Sequence, residues 1–119
     1  MGRFRISRPA QADISGILTT SAERWGVEAQ RRYAACLAAA MRKAAFDPEG
    51  LVTKNRDELL PGIRSLHLRH ARDDETDAKV HRPVHVLYYR VVRPGLIEIV
   101  RVLHERMEPS RHLEPHSDD

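Results

Sequence analysis

The side chains best equipped for chemistry gather in the last quarter of the chain. After the apolar run LIEIVRVL come His104, Glu105, Arg106, Met107, Glu108, Pro109, Ser110, Arg111 and His112. A polar, ionisable segment directly after a hydrophobic strand is where a small domain commonly carries its working surface. With Arg64, Arg69, Arg101, Tyr88 and Tyr89 it could supply the parts of a metal-free ribonuclease. Such an enzyme must activate a ribose 2′-OH, neutralise charge developing on phosphate and protonate the leaving oxygen. His104 is the best acid–base candidate because imidazole titrates near neutral pH; Arg106 and Arg64 would complete a catalytic set. The same residue types equally make a docking surface, since tyrosine and arginine are favoured anchors of protein interfaces. On that second reading Arg64, Arg69, Tyr89, Arg101, His104 and Arg106 touch a partner and catalyse nothing. No carboxylate or histidine is set by spacing into a definite catalytic pair, so the docking reading is preferred.

Other chemistries find less support. Histidines stand at positions 67, 70, 81, 85, 104, 112 and 116. None pairs with another four residues away on an expected helix, and no Cys/His group has zinc spacing. His67 and His85 could be neighbours across two strands, but two ligands do not make a site; neither a metal nor a cofactor is expected. Ser65 and Ser110 have no nucleophile context, and neither a glycine-rich phosphate loop nor a nucleophile elbow is present.

The chain has 119 residues, 41% of them hydrophobic, with a net charge of +3. This is room for one domain. Four acidic residues (Asp73, Asp74, Glu75, Asp77) fall in one stretch and Glu114, Asp118 and Asp119 in the tail, which leaves the body distinctly basic. A basic body suits an acidic partner, nucleic acid or protein. The start lacks the apolar core of a secretory signal, and no apolar run is long enough to cross a bilayer. The single cysteine, Cys36, is expected buried on a helix of a reduced, cytoplasmic protein.

The elements that must position these groups follow from patterning. Phe4 and Ile6 alternate with Arg3, Arg5 and Ser7, a short first strand. Pro9 suits an opening helical turn, and Ile14, Ile17, Leu18, Ala22 and Trp25 trace one helical face up to Gly26. Trp25 is expected to anchor the packing of that helix. A second, alanine-rich helix carries Ala29, Tyr33, Cys36, Leu37, Ala40, Met41 and Ala44 on one face and stops before Asp47-Pro48. A joint this short folds the helices into an antiparallel hairpin. Residues 49–62 are expected to be a loop and 63–69 a strand. A mobile loop is expected from His70 to Arg82, then strands 84–92 and 96–104 joined at Pro94-Gly95. Tyr88 and Tyr89 point to opposite faces of their strand. The fold class is therefore α+β: strand, helix, helix, then a three-strand meander, with the helical hairpin on one face of a small, mostly antiparallel sheet. The place of the first strand in that sheet is left open. Residues 1–113 form the domain and 114–119 an acidic, disordered tail.

Several stretches together resemble the ParE toxins of the ParE/RelE superfamily: FRISRPAQADISGIL, the WG joint, RY early in the second helix, PGIRSLHLRH, PVHVLYYR and IEIVRVLHERMEPSRHL. The likeness runs from about Phe4 to Leu113. It implies the toxin of a type II toxin–antitoxin system of the plasmid-stabilising kind, with the strand–helix–helix–three-strand fold. It implies a ParD-like antitoxin that forms a hetero-oligomer with the toxin and alone touches operator DNA. DNA gyrase is the implied target, inhibited by binding. The alternative is ribosome-dependent cleavage of messenger RNA of the RelE type, whose catalytic residues are not matched cleanly enough here to carry any over.

Overall fold

The computed structural model describes residues 2–71 and 82–113. Strand β1 (Arg3–Ile6) leads into helices α1 (Arg8–Trp25) and α2 (Val27–Phe46). The short β2 (Lys54–Asn55) precedes β3 (Ile63–His67), β4 (His85–Arg93) and β5 (Leu96–His104). Among the described residues the five strands form one mixed sheet in the order β1-β5-β4-β3-β2. The fold is α+β, a helical hairpin on one face of the sheet.

Local chemistry explains each boundary. Ser7 caps α1, its Oγ accepting from the Ala10 N–H at 3.2 Å and donating to the Val100 carbonyl at 2.9 Å. One hydroxyl thus starts the helix and ties it to β5. Gly26 ends α1 and begins α2 at φ 90°, ψ 173°, a region open essentially to glycine alone. Gln30 then bridges the hairpin, its side-chain amide donating to the Leu18 carbonyl at 3.1 Å. α2 presents Cys36, Leu37, Ala40, Met41, Ala44 and Ala45 inward, all buried. The alanines let its backbone lie close to the sheet.

The sheet has two unlike faces. Leu66, Leu87, Tyr89, Ile97, Ile99 and Val102 meet the helices in the main core. Ile63, Tyr88, Leu103 and Leu113 form a smaller cluster on the other face, joined by Leu59, Leu60, Val86 and Val100. β3, β4 and β5 form the expected meander. β1 adds to the edge parallel to β5, Arg3 opposite Leu96 and Ile6 opposite Ile99. A cross-strand row holds it there: Glu98 of β5 accepts from Arg5 of β1 at 3.0 Å and Arg90 of β4 at 3.1 Å.

The structure corrects four expectations. The 49–62 segment is not all loop, since Lys54 and Asn55 pair with Ser65 and Arg64. The third strand stops at His67, and Leu68–Ala71 turns into a 3-10 helix. That turn buries Leu68 in the main core, where its carbonyl receives the Cys36 thiol at 3.9 Å. Trp25 anchors no packing: as the last residue before Gly26 it overhangs the sheet and is 74% exposed. His67 is not the neighbour of His85; it stands opposite Val86, and alternation sends the two imidazoles to opposite faces. Residues 72–81 of the expected mobile loop, and the tail 114–119, lie outside the described residues.

The helices are fastened to the sheet chiefly by Asp13 of α1. Its carboxylate accepts from Arg101 Nε and Nη2 at 2.7 and 2.8 Å and from the Val102 N–H at 2.9 Å. Asp13→Ala should lower the unfolding free energy by about 2–4 kcal/mol, because it strands a half-buried guanidinium and an amide. Asp13→Asn should recover only part of that. Urea unfolding of the three proteins measures both effects.

Candidate functional site

Where the hairpin overhangs the end of the sheet, it leaves a groove of about 1170 Å³. One wall is α1 with the start of α2; the other is the start of β4 and the end of β5. Ile17, Trp25, Val102 and Met107 supply apolar surface, and Ala12, Gly16 and Ala29 keep the helical wall low. Arg24, Arg32 and Arg82 also line it. Trp25 and Met107 are exposed, and so is Val27, two residues after Trp25.

A chain of three rings crosses the head of this groove. The Val84 N–H donates into the Tyr33 hydroxyl at 3.2 Å, so the phenolic proton goes to His85 Nδ1, 2.5 Å away. The His85 ring meets His104 edge to face at 5.5 Å, the two residues being register partners on β4 and β5. Burial pushes the Tyr33 phenol up to about 12. Burial first, and then the neighbouring His104, brings His85 down to about 4. At neutral pH the pair is therefore uncharged.

The other ring nitrogens are equally constrained. His104 Nδ1 accepts from the Arg106 N–H at 3.1 Å, and His67 Nδ1 from the Arg69 N–H at 3.0 Å. A backbone amide can only donate, so both rings carry their neutral-form proton on Nε2. His67 uses that proton on Glu105 at 2.8 Å, which holds the carboxyl below its ordinary range. This pair lies on the sheet face away from the groove. A metal at Nε2 would need the proton moved to Nδ1, against an N–H donor. Among the described residues no three potential ligands gather to hold a metal.

The residues expected at the site fall in different places. His104 and Arg106 share the turn after β5 beside the groove. Arg101 is engaged by Asp13 and by the His112 carbonyl at 2.8 Å. Arg64 lies elsewhere, bonded to the Pro48 carbonyl at 2.9 Å and Thr53 Oγ1 at 2.8 Å. Its register partner Tyr89 is four residues along β4 from His85, about 13 Å away. His104, Arg106 and Arg64 thus do not converge. Tyr89 is fully buried, its hydroxyl donating to the Pro48 carbonyl at 2.6 Å, and offers no ring to a partner. Tyr88 is also buried, in the smaller cluster, with the Arg56 guanidinium 5.9 Å from its ring centre. Arg69 is exposed in the 3-10 turn. Tyr33, His85, Asp13 and Trp25 were not expected as site residues. Tyr33 occupies an inward position of α2 by helical period, and nothing in that period marks it as reaching past the sheet's end.

A helical hairpin over one face of a small mixed sheet, with a basic, apolar-walled groove at its open end, defines a compact α+β partner-binding type of domain. The sequence model of the family described as "ParE toxin of type II toxin-antitoxin system, parDE" matches residues 4–109. Toxin ParE1 of Mycobacterium tuberculosis (strain ATCC 25618 / H37Rv) is 34% identical over 111 residues, 93% of this chain and 97% of the relative. Toxin ParE1 of Caulobacter vibrioides is 36% identical over 114 residues, 95% and 99% of the two chains. A chain of the solved "Chromosomal ParDE TA system from P. aeruginosa" shares the fold, with a TM-score of 0.62 at 19% identity over 87% of this chain and 96% of that one. The chain belongs to the ParE toxin family: it is the ParE toxin of a ParDE type II toxin–antitoxin system.

The Tyr33–His85 pair makes stability depend on pH. His85 is depressed from 6.5 to about 4 in the folded protein, so between those values the unfolded chain binds the extra proton. Its contribution should be complete above pH 6.5 and fall as pH drops toward 4. Urea midpoints across that range should decline for the wild type, and His85→Gln should flatten that part of the decline.

Proposed function

We propose that this toxin acts by binding and inhibiting DNA gyrase and is neutralised by a ParD-like antitoxin. The observation that carries this reading is the groove: apolar walls, arginines along it, and an exposed Trp25 and Met107 suited to anchoring a protein segment. An amphipathic helix or extended segment of the antitoxin fits such a surface and would order as it binds. The toxin reaches operator DNA only through that antitoxin, in a cytoplasmic hetero-oligomer. Among the described residues no helix is long and apolar enough to cross a membrane.

Binding rather than catalysis is favoured because the acid–base candidates are committed to structure. His104 Nδ1 faces a backbone donor and Arg64 is anchored about 13 Å along the sheet. Ribosome-dependent cleavage of messenger RNA is the competing reading.

One experiment separates them. The purified toxin should inhibit gyrase supercoiling, and the antitoxin should relieve the inhibition. Translating ribosomes given the toxin should show no new messenger RNA cuts. Codon-linked cuts that vanish in His104→Ala and Arg106→Ala, with supercoiling untouched, would establish the RelE-type activity instead.

A further inference from the structure

We propose that His85 and His104 together form a two-donor seat for a carboxylate carried by the antitoxin segment that fills the groove. This rests on the reading of the groove as the antitoxin's site and assigns the chemistry at its head.

The argument starts from the ring nitrogens. Tyr33 occupies His85 Nδ1 and the Arg106 amide occupies His104 Nδ1. Each neutral ring therefore keeps its proton on Nε2. The rings lie edge to face at 5.5 Å and both line the groove. Among the described residues neither Nε2 has a protein acceptor. Among the described residues no buried side-chain nitrogen or oxygen is left without a partner, so both Nε2 groups are open to solvent, and two donors on neighbouring rings suit one ligand with two acceptor oxygens. A carboxylate is acceptor-only and has that shape.

Charge and lining narrow the source. Asp13, the carboxylate lining the groove, is already engaged by Arg101. Arg24, Arg32 and Arg82 leave the groove with an excess of positive charge. The apolar side chains on both walls suit a protein segment with an aspartate or glutamate among hydrophobic residues. The occupant is therefore an acidic, amphipathic stretch of protein.

The test uses the full toxin and its cognate antitoxin. Each aspartate and glutamate in the C-terminal half of the antitoxin is changed singly to its amide. His104→Ala should weaken the complex roughly ten- to a hundredfold. One antitoxin amide variant should weaken it similarly, and the two changes together should cost no more than either alone. His85→Gln, which keeps a donor near Nε2, should be milder than His85→Ala. In ¹⁵N spectra of the histidines, both Nε2 signals should move on complex formation and stay put with that one amide variant. Equal affinity for wild type and His104→Ala, or losses that simply add for every acidic position, would overturn the proposal while leaving the antitoxin's groove intact. Imidazole signals that respond to an RNA oligonucleotide and not to the antitoxin would also overturn it. Failure of the wild-type toxin to bind the antitoxin at all would bring down the reading beneath it. Since His104 sits at the strand's exposed end, its variant keeps the test decisive should His85→Ala fail to fold.

Discussion

Asp13 is the hinge on which the architecture turns. Its carboxylate accepts three hydrogen bonds, two from Arg101 and one from the Val102 amide. These meet β5 at an irregularity: Tyr88 stands opposite Arg101 but Tyr89 opposite Ile99, so Val100 is an extra residue. A bulge of this kind turns consecutive side chains out of strict alternation and bends the strand. Val100 then falls with the smaller cluster, and the Arg101 guanidinium can swing to α1. The same guanidinium reaches the His112 carbonyl and ties down the segment after β5. One acid thus ties α1 to β5 and, through Arg101, to the segment around His112.

The same half of the hairpin is also held by different physics. Ala40, Ala44 and Ala45 leave α2 close to the sheet, and Gly2 lies so near the Ala45 carbonyl that a Cβ there would come within 1.7 Å. Asp13 and Ala40 stand thirteen and fourteen residues from Gly26, so the salt-linked clamp and the alanines hold the same half of the hairpin, and Trp25 lies at its other end. α2 has 20 residues, which spans about 30 Å. The sheet ends at His85 and His104, where Tyr33 of α2 meets it, and among the described residues no strand continues under the hairpin tip. An exposed tryptophan is the direct consequence. It follows the helical period of α1 as a core residue would, but the sheet it would pack against has ended.

This separates what the sequence could disclose from what it could not. Periods of two and 3.6 reach no further than the next few residues, and they suffice for the order of elements, the helical hairpin, the buried Cys36 and the β3–β5 meander. The parallel docking of β1 depends on a row from three strands, Arg5, Glu98 and Arg90, 93 and eight residues apart in pairs. No local pattern announces it. The site is a harder case. His104 lines the groove with Arg106 two residues further on, whereas Tyr89 and Arg64 lie away from it. Both have the composition of an interface, and both are used inside the protein on the Pro48 carbonyl. Residue type predicts what a side chain can bond, and the fold decides whether that capacity is already taken.

The same principle bears on docking against catalysis. A general acid–base histidine needs one nitrogen held by an orienting acceptor and the other free to take and give a proton. His104 and His67 have the reverse arrangement, with Nδ1 receiving an amide N–H. In the neutral ring that contact places the proton on Nε2, making that nitrogen a donor rather than a base. His85 goes further, since burial and a neighbouring imidazole keep it uncharged well below neutral pH. A site that needs a proton acceptor at pH 7 is poorly served by such rings. A site that needs fixed N–H donors, directed into an apolar groove and insensitive to modest changes of pH, is well served by the His85 ring. The hydrogen-bond directions around these rings, more than the presence of histidine and arginine as such, are what favour the proposed docking role of this groove over catalysis.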